Sequence, residues 1–395
     1  MIFEDMSGID SVDNAGDDDD EITLVDVNDG TYATNFTDID TSEYTFDFEV
    51  TDTSAADSDT INVTESEDGE LDIVDSVVAD QGDVVSIMVE LDNTDTGTLV
   101  IGNEEDDGYQ ANVTIEDDED DEVEVLFNTY AAGSGAPDNE VISTTDDDAD
   151  VSLDSESSLT DILDTGTYDL AVGPYTDNNN DQRFIDTIDD PDTISSVSLE
   201  ERGETSLALW RTSGSVQEDV VEELDDENES ATVELINSAV EGDQVTQTDS
   251  IAVDPDDTNS DVLVHQLTAP GLQGALANAS GGDIDNVETT SAFYDYLTTD
   301  NSQYSSDNAV DGNSDRLEAL FELQNPGANE PSTSIDLNED ITSDADFSDI
   351  FTVVYDDASN NYYILTDVDD LNDVVDDDIE DGDEYEVQFN VQDAR

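Results

Sequence analysis

The sequence has no cysteine, no lysine and a single histidine. Without cysteine, neither a disulfide framework nor a thiolate zinc site can form. One histidine, His265, excludes a multi-histidine metal centre. Without lysine there is no Gly-Lys-Ser/Thr phosphate loop. No apolar run nears the roughly 20 residues of a membrane span, and Met1-Ile2-Phe3-Glu4-Asp5 does not read as a secretion leader. Positive charge is the scarcest commodity: five arginines stand against 110 acidic residues, a formal charge of −105. Spread over a compact surface of roughly 15,000 Å², this leaves about one net charge per ~140 Å². Neighbouring charges then lie about 12 Å apart, close to the ~10 Å screening length at 0.1 M salt. In molar salt that length shrinks to about 3 Å and the repulsion becomes tolerable. The chain reads as built for brine. Nucleic acid and anionic membrane surfaces are poor partners for it, and hydrated monovalent cations are natural ones.

What is present argues against an acidic coil. The apolar fraction of 35%, with 13 Tyr and 11 Phe, is enough for cores, and it falls in ordered patterns. Glu43-Tyr44-Thr45-Phe46-Asp47-Phe48-Glu49-Val50 and Glu384-Tyr385-Glu386-Val387-Gln388-Phe389-Asn390-Val391 follow one template. Its period of two puts aromatic residues and valine on one face and acids on the other, as a half-buried strand requires. Gly166 to Val172 is a looser third copy. Val85, Ile87, Val89 and Leu91 alternate, as do Tyr109, Ala111, Val113 and Ile115, and then Val123, Val125 and Phe127. Gly, Asn and Asp turns separate these runs at the spacing of an all-β sandwich.

These patterns divide the chain into a disordered acidic tail at 1–20, a partial or small β module at 21–66, a β-sandwich at 67–200 and a β-rich domain with short helices at 201–395. In the last, Ser206 to Trp210 and Val262 to Leu267 read as strands. Val216, Val220, Val221 and Leu224 recur at helical spacing after Ser213 and Ser215. Leu272 to Ala277 reads as a brief helix, and Tyr355 and Tyr362 flank a hairpin turn. The fold class is mainly β, with minor helix in the C-terminal part.

Gly108-Tyr109-Gln110-Ala111-Asn112-Val113-Thr114, Leu126-Phe127-Asn128-Thr129-Tyr130-Ala131-Ala132-Gly133, Gly166-Thr167-Tyr168-Asp169-Leu170 and Asn325-Pro326-Gly327-Ala328-Asn329 resemble segments of haloarchaeal surface glycoproteins. That group includes S-layer-type proteins built from tandem immunoglobulin-like β-sandwich modules. The resemblance implies a cell-envelope role, N-glycosylation and an extracellular, cell-surface location. Members carry a leader, a Thr-rich stalk and a C-terminal anchor; the chain is accordingly expected to be an excerpt of a longer exported protein.

Five sequons match the N-x-Ser/Thr acceptor pattern: Asn35, Asn62, Asn112, Asn228 and Asn278. About four or five arise by chance in a chain of this composition, so placement says more than the count. Asn112 shares parity with Gln110 and Thr114, opposite the buried face, and Asn62 sits opposite Ile61 and Val63; both are expected to face solvent. Asp177, Asn179 and Asp181 supply oxygens at alternate positions, with Asp186 nearby, as a calcium loop would. It is not an EF-hand, because Gln182 and Ile188 occupy the places of the glycine and the closing glutamate. A solvated acidic turn accounts for the same residues.

Catalysis fits poorly. A Ser-His-Asp triad has only His265 for its base, and that residue shares parity with Leu263 and Leu267 on an apolar strand, as a packed histidine would. Carboxylate pairs for glycoside hydrolysis abound, but their separation is not legible in sequence. Trp210 and Tyr362-Tyr363 could line a sugar site, although core packing accounts for them. The sequence therefore points to a non-enzymatic, cation-stabilised surface glycoprotein of a halophile, associating with other envelope or S-layer subunits or with itself. The alternatives are a surface adhesin or carbohydrate-binding module and, further off, a secreted hydrolase.

Overall fold

The computed structural model describes residues 11–14, 22–25, 42–50, 53–63, 69–117, 122–175, 180–225, 229–253, 260–282, 284–298, 317–324, 334–337, 341, 343–374, 379 and 383–391. These fall in two compact units, Met1–Asp68 and Gly69–Arg395.

In the first unit, β1 (Ser11–Asn14) pairs antiparallel with β2 (Ile22–Val25), and β3 (Ser42–Glu49) with β4 (Ala56–Val63). Ser11–Asn14, within the stretch read as an acidic tail, forms a strand. One valine among polar residues gives no alternation to read, and the strand is supplied by main-chain pairing with Ile22–Val25. Strand β3 is the first copy of the Glu-Tyr template: Tyr44 and Phe46 are half-buried, while Phe48 stays exposed.

The second unit begins with a two-sheet sandwich. One sheet has the order β11 (Ile142–Thr144), β10 (Glu122–Asn128), β7 (Val84–Asp92), β5 (Glu70–Ile73). The other runs β12 (Ala149–Glu156), β9 (Ala111–Asp117), β8 (Thr96–Ile101), β13 (Gly166–Pro174), β14 (Thr193–Glu200), β6 (Val77–Asp80). The alternating residues meet between the sheets. Ile87, Val89, Val125 and Phe127 from one pack with Val113, Ile115, Leu170 and Val197 from the other in a single cluster, each such side chain contributing about 1.5–3 kcal/mol by leaving water. Gly97 makes room for Leu71 of the facing sheet, since a Cβ there would run into that buried side chain. The short helix α1 (Asp138–Val141) closes one end, and α2 (Asn180–Asp189) crosses the outer face of β8 and β13.

After β14 the chain builds layers around a five-stranded sheet of order β16 (Thr246–Gln247), β15 (Ser206–Thr212), β17 (Val262–Thr268), β21 (Asn361–Thr366), β20 (Phe351–Asp356). Helices α3 (Gly214–Asp225) and α4 (Glu229–Glu241) cover one face, burying Val216, Val220 and Ile236 against Val264, Val354 and Leu365. The other face carries α5 (Gln273–Ser280), α6 (Thr289–Thr298), the helix Asp344–Ile350, and a three-stranded sheet of order β19 (Ser334–Asp336), β18 (Leu317–Leu323), β22 (Tyr385–Val391). With both faces covered, Tyr362-Tyr363-Ile364-Leu365 is buried throughout and shows no alternation. The Tyr355/Tyr362 hairpin forms in that register, its turn closed by Asn360 at φ +52°. The fold is mainly β, and the C-terminal part is β-rich with short helices, as expected. The sandwich is the architecture that immunoglobulin-like modules use.

Candidate functional sites

Helix α2 follows Asp177-Asn178-Asn179 in the sequence. It is fastened through Arg183, which is 5% exposed despite its charge. Its Nη2 donates to Asp154 Oδ1 at 2.6 Å and to Thr114 Oγ1 at 2.8 Å. Its guanidinium carbon lies 4.7 Å from the ring centres of both Tyr175 and Phe184, within the range of cation–π attraction. One turn on, the hydroxyls of Thr187 and Thr98 lie 2.6 Å apart. Of the expected calcium ligands, Asp177 and Asn179 lie outside the described residues. Asp181 falls in the first turn of α2. Asp186 is exposed on α2, five residues beyond Asp181. Among the described residues, no group of three or more His, Asp or Glu has metal-binding geometry.

The sequons separate by geometry. Asn35 and Asn228 lie outside the described residues. Asn62 is exposed on β4. Asn112 does face outward from β9, but it is half-buried: its Nδ2 donates to Ser155 Oγ at 2.9 Å and its Oδ1 accepts from Gln110 Nε2 at 2.8 Å. Asn278 is half-buried on α5 and donates to Glu140 Oε2 at 2.7 Å. Glu140 is itself buried, and burial raises its pKa. A sugar on Asn278 Nδ2 would crowd this contact, whereas one on Asn62 would meet solvent. Peptide mass spectrometry of protein from the native cell is expected to find glycan on Asn62 and none on Asn278. Full occupancy at Asn278 would contradict the Asn278–Glu140 contact.

The sandwich and the C-terminal layers meet along a polar seam. Gly274 N donates to Gly82 O, Asn128 Nδ2 to Gly274 O at 3.0 Å, and Val84 N to Gln273 Oε1 at 3.3 Å. Gly82 and Gly271 both have positive φ, and a side chain on either would strike Arg202, which donates Nε–H to Gln81 O at 2.7 Å. Within this seam sits Asp83, 7% exposed, its Oδ1 buried without a hydrogen-bond partner. Burial above all, and then Asp80, push its pKa up to about 7; the amides of Gly271 and Gln273 and the charge of Arg202 oppose the shift. Beside the seam a cavity of about 620 Å³ is lined by Val84, Gln273, Leu276, Glu288, Tyr355 and Tyr362 among others.

His265 is fully buried on β17, edge-on to Phe321 and Phe389, and burial lowers its pKa to about 4. It is a core residue. Tyr362 and Tyr363 are buried as well, and half-buried Trp210 donates to Gln266 Oε1 at 2.9 Å. The sequence reading missed Arg183 and Asp83. Arg183 had a signal, since a cation retained in a chain that excludes cations is informative by scarcity. Asp83 had none among 110 acids.

The architecture is thus that of a β-sandwich module joined to a β-rich, helix-covered partner, with no solvent-accessible histidine to act as a base. Residues 63–174, from the end of β4 to the end of β13, match a family described as Domain of unknown function (DUF7827). Over 85% of its length the chain is 32% identical to a cell surface glycoprotein of Haloferax gibbonsii, covering 32% of that protein. It is 31% and 29% identical, over 80% of its length, to cell surface glycoproteins 1 and 2 of Haloarcula hispanica, covering 31% of each. The likeness to haloarchaeal surface glycoproteins read from short motifs is therefore a likeness of most of the chain. The chain spans about a third of the length of these curated relatives. Among the described residues, no helix is long and apolar enough to cross a membrane.

Proposed function

We propose that this chain is a non-enzymatic structural part of a haloarchaeal cell-surface glycoprotein, located outside the cell and contributing to an S-layer or related envelope coat. The observation that carries the reading is the alignment of 85% of the chain with the cell surface glycoprotein of Haloferax gibbonsii. The burial of His265 supports the absence of histidine-based catalysis. The mechanism is mechanical and electrostatic. Packed β layers present acidic faces that hold hydrated monovalent cations, and calcium bridges acids between subunits or between copies of this chain. Within the chain, Asp177, Asn179, Asp181 and Asp186 are the proposed calcium ligands. Electron microscopy of purified protein in multi-molar salt, with calcium and then with chelator, is expected to show sheets or regular oligomers that disperse on chelation. Dispersed monomers in both conditions would overturn the coat reading. Unchanged assembly in an Asp177→Asn/Asp181→Asn variant would overturn the loop assignment alone.

A further inference from the structure

We propose that the seam between the sandwich and the C-terminal layers is a binding site for one monovalent alkali cation, held by Asp83 with Asp80 beside it. The argument begins with the cost of Asp83. A carboxylate that is 7% exposed, with one oxygen buried and meeting no donor, carries an unfavourable charge unless something positive or a proton compensates it. The groups facing it are known from each side. Its own turn contributes Asp80. The segment leading into α5 brings the amides of Gly271 and Gln273, and Arg202 brings a weaker favourable charge. From the hairpin, Tyr355 feels Asp83 together with Asp356 and Asp357, and Tyr362 feels Asp83 and Asp357. Asn360 ties that hairpin to the same place: Tyr355 Oη donates to its Oδ1 at 2.9 Å, and its Nδ2 lies 3.5 Å from Asp80 Oδ2. Acids outnumber the one arginine around Asp83, so the local imbalance is negative.

A divalent ion is the wrong occupant. Calcium takes six to eight oxygens, and no group of three acidic side chains with metal-binding geometry occurs among the described residues. A partly dehydrated sodium or potassium ion asks for less. A proton is the competitor, and concentration decides between them. At ~3 M cation, even a site with a Kd of ~0.3 M lowers the apparent pKa of its carboxylate by about one unit. The salt requirement of this fold then has a component specific to one buried site, separate from general screening of the acidic surface. The inference does not depend on whether the chain assembles into a coat.

The test compares thermal unfolding of the whole chain at ~3 M total salt, with chelator present, in sodium, potassium and tetramethylammonium chlorides. The wild type is expected to melt several degrees higher in the alkali salts. Asp83→Asn should lose most of that difference, the general effects of each salt being common to both proteins. An equal ion preference in both proteins, or none in the wild type, overturns the proposal. Should the variant not fold, the wild type suffices: the pH midpoint assigned to Asp83, read from carboxyl carbon NMR, should lie about one unit lower in sodium than in tetramethylammonium. An unmoved midpoint overturns the site.

Discussion

Arg183→Ala is expected to destabilise the fold by roughly 3–5 kcal/mol, the usual cost of removing one partner from a buried ion pair. Equilibrium unfolding in multi-molar salt would measure it. The loss has separable parts. The charge-assisted bonds to Asp154 and Thr114 disappear, and Asp154, 20% exposed, is left without its cation. The stacking on Tyr175 and Phe184 goes as well. Arg183→Lys should recover only part of the stability, because an ammonium keeps the charge and loses the planar fork and the stacking. Arg211 is the control. It also pairs with an acid, Asp261, at 3.2 Å, but its side chain is 47% exposed, so Arg211→Ala should cost under about 1 kcal/mol, and less still in brine. Equal small losses at the two positions would show that α2 does not depend on the buried pair.

The second large effect is a cancellation. Burial and Asp80 raise the pKa of Asp83 from 3.8 to about 7, so the folded chain holds this proton more tightly than the unfolded chain does. The stability it confers is complete below about pH 4 and is lost as pH rises through about 7. Burial lowers the pKa of His265 from 6.5 to about 4, so stability is lost as pH falls from 6.5 through about 4. The two contributions run in opposite directions over nearly the same window, each on the order of 3–4 kcal/mol. In tetramethylammonium salt, where no alkali ion competes at the seam, Asp83→Asn is expected to gain stability relative to wild type as pH rises from 4 to 7. His265→Leu is expected to gain relative to wild type as pH falls across the same range. Differences from wild type cancel the behaviour of the other carboxylates. Parallel pH profiles for all three proteins would show that neither group titrates as its burial dictates.

Parts of the fold were legible because the physics that makes them is local. Alternation along Val85 to Leu91 and Tyr109 to Ile115 marks strands with one face in a core, and those residues are buried between two sheets. The parity of His265 with Leu267 placed it in the interior, where it lies. Asn360 and its neighbours marked a turn because a left-handed residue is needed there. Legibility fails where burial is two-sided or long-range. Tyr362 to Leu365 loses its alternation because helices cover one face and a second sheet covers the other. Asp186 read as part of an acidic loop, whereas it lies on α2.

By itself, the sequence determined the acidic surface charge and the mainly β class, since net charge and period-two patterning require no partner to be expressed. Only the tertiary structure decided which few polar groups matter. Arg183 meets Thr114 from 69 residues away, and Gln273 reaches the strand beside Asp83 from 189 away. Asn278 is occupied by Glu140 from across 138 residues. Desolvation, which shifts a pKa or ties up a glycan acceptor, is a property of such meetings, and composition cannot carry it.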